Sequence, residues 1–145
     1  MTSTVLVTGG LGFIGSHTVV ELIERGHEAV ILDNLSNSNE SVLDGIEKIV
    51  GKKPKLYVGD IRDREILQTI FKDHNIESVM HFAGLKAVGE GEEKPLLYFD
   101  NNVTGSITLF DEMIKAKVKK SETTRSPLSI QGCQTVDLES KPKMH

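Results

Sequence analysis

Three glycines, Gly9, Gly12 and Gly15, follow directly on the apolar run Val5, Leu6 and Val7. A short run of that kind is consistent with a buried parallel strand. From Phe13 a helical pattern takes over, with Ile14, Thr18 or Val19, Leu22 and Ile23 on one stripe and Gly26 placed as a C-terminal cap. The order is strand, glycine turn, helix, and alternation of this type confines a chain to few folds.

The same order continues downstream. Ala29 to Leu32 reads as a second strand that delivers Asp33 and Asn34 at its carboxyl end, and Asn37 with Glu40 forms a capping box for a helix through Val42, Ile46 and Ile49. Gly51 and Pro54 close that helix, Lys55 to Val58 reads as a third strand, and Asp60 lies just beyond it. Asp63 or Asp60 can cap a helix with the stripe Ile66, Leu67, Ile70 and Phe71. Ser78 to Phe82 is the fourth strand candidate.

A long helix is expected from about Lys94 or Pro95 to Lys117, with Leu96, Phe99, Val103, Ile107, Phe110 and Ile114 as its buried stripe and Gly105 as its weak point. Four strands alternating with helices predict an α/β fold: a partial Rossmann-like, doubly wound parallel sheet in three αβα layers. The ligand crevice of such a sheet lies at the carboxyl ends of its strands. Residues 1–120 are expected to form a truncated dinucleotide-binding domain. Residues 121–145, rich in Ser, Thr, Lys and Pro and without periodicity, are expected to form a divergent, poorly ordered tail.

Composition narrows the partners. A chain of 145 residues suits one domain, and 17 basic against 21 acidic residues announce no electropositive face, so nucleic acid is not an expected partner. Cys133 is the only cysteine, which excludes an internal disulfide and a thiolate cluster and suits a reducing compartment. His17, His27 and His74 have no ligand spacing with one another or with Cys133, so no metal is expected. No leader pattern and no apolar run of spanning length is present, and the expectation is a cytoplasmic protein without membrane association.

Each glycine has a separate mechanical part in binding a dinucleotide. Gly9 allows the tight turn out of the strand, Gly12 keeps side-chain bulk from the pyrophosphate, and Gly15 lets the helix approach the sheet. The pyrophosphate then meets free amides near Phe13 and Ile14. The spacing is GxxGxxG, and ordinary turns are the competing use of such glycines.

Asp33, after the second strand, has the position of a carboxylate that accepts from the adenine ribose hydroxyls, which favours NAD over NADP; the alternative is a plain strand-to-loop turn. Asp60 either reaches the adenine or caps the next helix. His81, inside an apolar strand, reads as a hydrogen-bonded structural residue in preference to a base or ligand. Lys86, after the fourth strand, is a cation able to neutralise a cofactor phosphate, or a plain surface lysine.

With these runs in hand, VLVTGGLGFIGSHTVVEL, VILDNLSNSNESV, GDIRD, HFAGLKAVGE and KPLLYFDNNVTGS, the chain resembles the extended short-chain dehydrogenase/reductases from about Val5 to Lys120. Within them it resembles the members that interconvert UDP-glucose and UDP-galactose through a 4-keto sugar in galactose metabolism. The resemblance implies NAD as cofactor. It implies that Gly9, Gly12, Phe13, Ile14 and Gly15 wrap the pyrophosphate, and that Asp33, Asn34, Asn37 and Ser38 serve the adenosine ribose and its neighbourhood. It further implies that Asp60 and Ile61 flank the adenine, that Phe82, Ala83, Gly84 and Lys86 follow the cofactor toward the nicotinamide, and that Asn101 supports it from the long helix. Homodimers formed through that long helix are a further implication.

The chain departs from the family where its chemistry begins. The family's base and lysine lie in YxxxK, whereas the only tyrosines here, Tyr57 and Tyr98, are followed four positions later by Ile61 and Asn102. The apolar fifth strand of the family is replaced by SETTRSPLSIQGCQTVDLESKPKMH. No catalytic residue is therefore assigned, and Thr123, Thr124, Ser126 and Ser129 do not replace the missing hydroxyl. The expectation is the NAD-binding part of such an enzyme, catalytically incomplete and meeting a UDP-sugar only in a longer form; the alternatives are an NAD-binding or protein-interaction module, or a nonfunctional truncated product.

Overall fold

A computed structural model describes residues 3–36, 38–83, 95–118, 120–124 and 133–137. Strand β1 (Thr4–Thr8) lies between β2 (Glu28–Asp33) and β4 (Ile76–His81), parallel to both. The neighbours satisfy its main chain on either side, so both of its faces can be apolar, and successive residues point to opposite faces. Leu6, Val30, Leu32 and Val79 enter one core. Val5, Val7, Ala29 and Ile31 enter the other.

Helices cover both faces. Val19 of α1 (Phe13–Glu24) and Leu43 and Ile46 of α2 (Ser41–Val50) complete the second core. Leu67 and Ile70 of α3 (Arg64–Asp73) complete the first, together with Leu109 and Met113 further along the chain. These are the three αβα layers that the alternating pattern predicts.

Strand β3 (Lys55–Val58) lies outside β2 and parallel to it, so the chain winds outward from β1 to β3 and then returns to β4 on the far side of β1. The winding direction reverses between β1 and β4, which opens a crevice at their carboxyl ends. Asp63 caps α3, its carboxylate accepting from the amides of Glu65 and Ile66. Asn37 of the expected Asn37–Glu40 capping box lies outside the described residues; α2 has Glu40 as its N-cap with no side-chain bond, and the Asn39 Oδ1 accepts from the Ser41 amide at 3.0 Å.

The long helix differs from its expectation in two ways. It runs as α4 (Pro95–Phe99), a π turn (Asp100–Thr104) and α5 (Gly105–Lys115). Its buried face carries Gly105, Thr108, Leu109, Glu112 and Met113, whereas Leu96, Val103, Ile107 and Ile114 of the expected stripe are exposed. Apolar residues occupy both sides of this helix, so spacing alone could not choose the core side. Gly105 chooses it: a Cβ there would come within 2.6 Å of Ile61 Cδ1, so the helix packs closely at that point. Buried Glu112 pairs with Lys115 of its own helix at 3.6 Å and with Arg64 at 3.0 Å, and the Arg64 bridge ties α5 to α3.

Part of the expected tail is strand. Strand β5 (Lys120–Thr124) adds parallel to β4, with Ser78 opposite Lys120, and β6 (Cys133–Asp137) adds antiparallel to β5, giving the order β3-β2-β1-β4-β5-β6. Residues 121–124 and 133–137 are therefore strand where a poorly ordered tail is expected, and the other residues of 121–145 lie outside the described ones. The outer edge of β4 offers main-chain donors and acceptors that an extended segment can satisfy without an apolar pattern.

Candidate cofactor-binding site

Everything at the crevice is built on the turn that leaves β1. The Gly9 amide donates to the Leu32 carbonyl at 2.8 Å while the Phe82 amide donates to Thr8 O at 3.0 Å, so the ends of β1, β2 and β4 are joined at this turn. Gly9 has φ +67°, and a Cβ on it would lie 2.8 Å from the main chain of Phe82 and Ala83. Only glycine serves there on both counts.

Gly15 is as restricted, for a reason different from the expected approach of helix to sheet. A Cβ on Gly15 would fall on the Gly9 carbonyl oxygen, so the helix packs on the glycine turn itself. Gly12 is the opposite case. A Cβ there would meet nothing within 4 Å except Gly9 O at 3.3 Å, leaving open space before the helix. Gly10, which the motif reading passed over, lies against Ile31, whose Cγ2 would be 2.7 Å from a Cβ.

Gly12 is also the N-cap of α1, with no side-chain cap bond and no acidic residue in the first turn. Helix starts leave amides without intrahelical partners and carry partial positive charge, and both favour an anion. Phe13 and Ile14 are exposed beside them.

Asp33 ends β2 with its side chain buried. Its Oδ2 accepts from the Leu11 amide at 3.0 Å, and its Oδ1 accepts from the Leu35 amide at 2.9 Å and the Ser38 hydroxyl at 2.8 Å. The carboxylate thus forms the strand-to-loop turn and also grips the glycine loop. Two oxygens carry about four acceptor sites, so capacity for a further donor remains.

Asn34 is exposed and donates to Asp60 Oδ2 at 3.3 Å. Asp60 does not cap α3. It takes the Arg62 amide and Nε on Oδ1 and Arg62 Nη2 on Oδ2, each at 2.9 Å, and Arg62 also reaches Asp100 in the π turn. The hydrogen bonds from Arg62 hold the Asp60 carboxyl below its ordinary range against the effect of burial. Ile61 is buried in the core, against Gly105 of α5.

Phe82 and Ala83 are half-buried beside Gly9, and the Ala83 amide donates to the Thr8 hydroxyl at 3.3 Å. Gly84 and Lys86 lie outside the described residues, and Asn101 is described only by its main chain, within the π turn. His81 is buried and bonded on both ring nitrogens, as expected of a structural residue, to Thr8 at 2.6 Å and to Ser106 at 3.0 Å. Thr8, Ser106 and Arg62 escaped the motif reading because no spacing marks a residue that acts across the sheet. Tyr57 spends its hydroxyl on His74 Nε2 at 2.9 Å, and burial, followed by the charge of Asp73, pushes its phenol upward.

The family model described as GDP-mannose 4,6 dehydratase matches residues 6–126. The chain is 57% identical over 115 residues to a UDP-glucose 4-epimerase of Klebsiella pneumoniae, covering 79% of this chain and 83% of that protein. The chain belongs to the extended short-chain dehydrogenase/reductase family of the UDP-glucose 4-epimerases.

The epimerase of Yersinia enterocolitica is 57% identical over 117 residues, which is 81% of this chain and 35% of that protein. This chain therefore spans about a third of the length of that curated relative. Among solved structures, the UDP-glucose 4-epimerase of Stenotrophomonas maltophila, with bound NAD and formylated UDP-arabinopyranose, matches 87% of this chain and 38% of its own at 46% identity and a TM-score of 0.84. The Bifidobacterium longum epimerase in complex with NAD+ and UDP matches 86% and 37% at the same identity and TM-score. The part shared with these epimerases is the NAD-binding portion.

Proposed function

We propose that this chain binds NAD at the crevice between β1 and β4, as the cofactor-holding part of an enzyme that interconverts UDP-glucose and UDP-galactose. The observation that carries the reading is the cradle itself: an open space before Gly12, an uncapped helix start, and Asp33 locked to the loop at Leu11. The pyrophosphate is assigned to the amides from Gly12 to Gly15, the ribose to the free acceptor capacity of Asp33, and the nicotinamide side to Phe82 and Ala83. When bound, NAD supplies a hydride acceptor and donor.

The residues of this chain bind and orient but move no proton. Tyr57 is engaged with His74, and no tyrosine of the sequence is followed four positions later by lysine. We therefore assign the base and the UDP-sugar to a longer form, and assign NAD binding without turnover to the chain alone.

Titration calorimetry of the purified 145-residue chain with NAD tests this. A saturable signal is expected in the parent and none in Gly12→Val, whose side chain fills the space before α1. Absence of binding in the parent, or 4-epimerisation by the purified chain, would overturn the reading.

The exposed face of α4 and α5 favours one further partner, a second copy of the chain. Leu96, Val103, Ile107 and Ile114 stand on one helical run, all more than 40% exposed, and pairing would remove them from water.

A further inference from the structure

His81 lies in a chain of hydrogen bonds that crosses the sheet. At one end the Ala83 amide donates to Thr8 Oγ1 at 3.3 Å, and Thr8 Oγ1 meets His81 Nδ1 at 2.6 Å. At the other end His81 Nε2 meets Ser106 Oγ at 3.0 Å, and the Ser106 hydroxyl donates to the Asn102 carbonyl at 2.6 Å. Thr8 and His81 are buried, and three parts of the fold are linked: the end of β1, the end of β4, and α5 with its π turn.

The ends of this chain determine its direction. An amide can only donate and a carbonyl can only accept. Because Ser106 gives its hydrogen to Asn102, its oxygen accepts from His81 Nε2–H. Nδ1 is then bare and accepts from the Thr8 hydroxyl, whose oxygen accepts from Ala83. Among these bonds one arrangement is consistent, with the imidazole donating from Nε2 and accepting at Nδ1. A buried histidine so matched holds its neighbours in register, because breaking any link strands a polar atom away from water.

We propose that His81 is a positioning residue that couples the π turn at 100–104 to the Ala83 amide through Ser106 and Thr8, setting the nicotinamide end of the crevice. The coupling has a purpose only if the crevice holds NAD, so this proposal rests on that reading. Asn101 is inside the turn held by Ser106, and Ala83 follows the strand end held by Thr8. The main chains of both residues expected to border the cofactor's far half are thus tied to one ring.

Nitrogen-15 and amide NMR of the full 145-residue chain, joined to NAD titrations, test the proposal. The parent is expected to show the Nε2–H tautomer at His81. Ser106→Ala should shift the Ala83 amide resonance, two links beyond the ring, and weaken NAD about fivefold. Ser106→Thr, which keeps the hydroxyl, should restore both. Thr8→Val enters from the opposite end and should shift the Val103 amide, whose peptide unit includes the Asn102 carbonyl, so the test survives if one variant fails to fold. An Ala83 resonance unmoved in Ser106→Ala, or an Nδ1–H tautomer in the parent, would overturn the proposal. If the parent binds no NAD, the cofactor reading falls by itself, and the Ala83 and Val103 resonances still decide whether the coupling exists.

Discussion

The Asp33 carboxylate holds the Leu11 amide at 3.0 Å, so the acid at the end of β2 positions the glycine loop after β1. One residue therefore combines a structural bond with the place from which a ribose would be read. Asp33→Ala should lower stability by about 1–3 kcal/mol through the stranded Leu11 and Ser38 donors. It should also weaken NAD more than NADP, because the repelling charge is gone. Thermal melts and paired titrations with the two cofactors measure these effects.

Gly15 and Gly45 should respond in opposite directions to alanine. At Gly15 a Cβ meets the Gly9 carbonyl, which cannot move without opening the turn, and a loss of about 3 kcal/mol or more is expected. At Gly45, inside α2, nothing lies within 4 Å, and Gly45→Ala should gain about 0.5–1 kcal/mol from helix propensity. Urea denaturation of both variants checks the contrast.

The two sides of α5 predict a second contrast. Leu109→Ala should cost about 2–5 kcal/mol because Leu109 is fully buried against the sheet. Ile107→Ala, at an exposed site, should stay within about 0.5 kcal/mol. If two copies pair through this face, Ile107→Glu with Ile114→Glu converts a dimer to a monomer in analytical ultracentrifugation. A parent that sediments as a monomer at every concentration rejects that pairing.

Asp60 makes stability depend on acid. Its folded-state carboxyl is held below the unfolded value by Arg62, so its contribution is present above about pH 4 and lost as pH falls through the lower folded value. The ion pair is partly exposed, so the contribution is about 1 kcal/mol or less. Melts of the parent and Asp60→Asn should differ at pH 7 and converge toward pH 3. A gap that is constant over that range would assign the difference to shape and not to charge.

The glycine turn, the acid after the second strand and the alternation of strands with helices were legible in the residues because each depends on local rules. Gly9 needs its φ of +67°, Asp63 accepts from the two amides that follow it, and Val5 to Val7 lie in a strand buried on both sides. Other features were not legible. The exposed side of α5 carries large apolar residues as its buried side does, and β5 was hidden because main-chain bonding to β4 requires no apolar pattern.

By itself, the sequence determined a doubly wound layered fold and a glycine cradle at the end of its first strand, since turn sterics and strand periodicity act over a few neighbouring residues. It also determined that no YxxxK is present. Only the tertiary structure decided that Gly15 packs on Gly9, that Asp33 grips Leu11, and that His81 joins Thr8 to Ser106. Those relationships link residues from separate strands and helices, and distances between them exist only once the sheet has brought its carboxyl ends together.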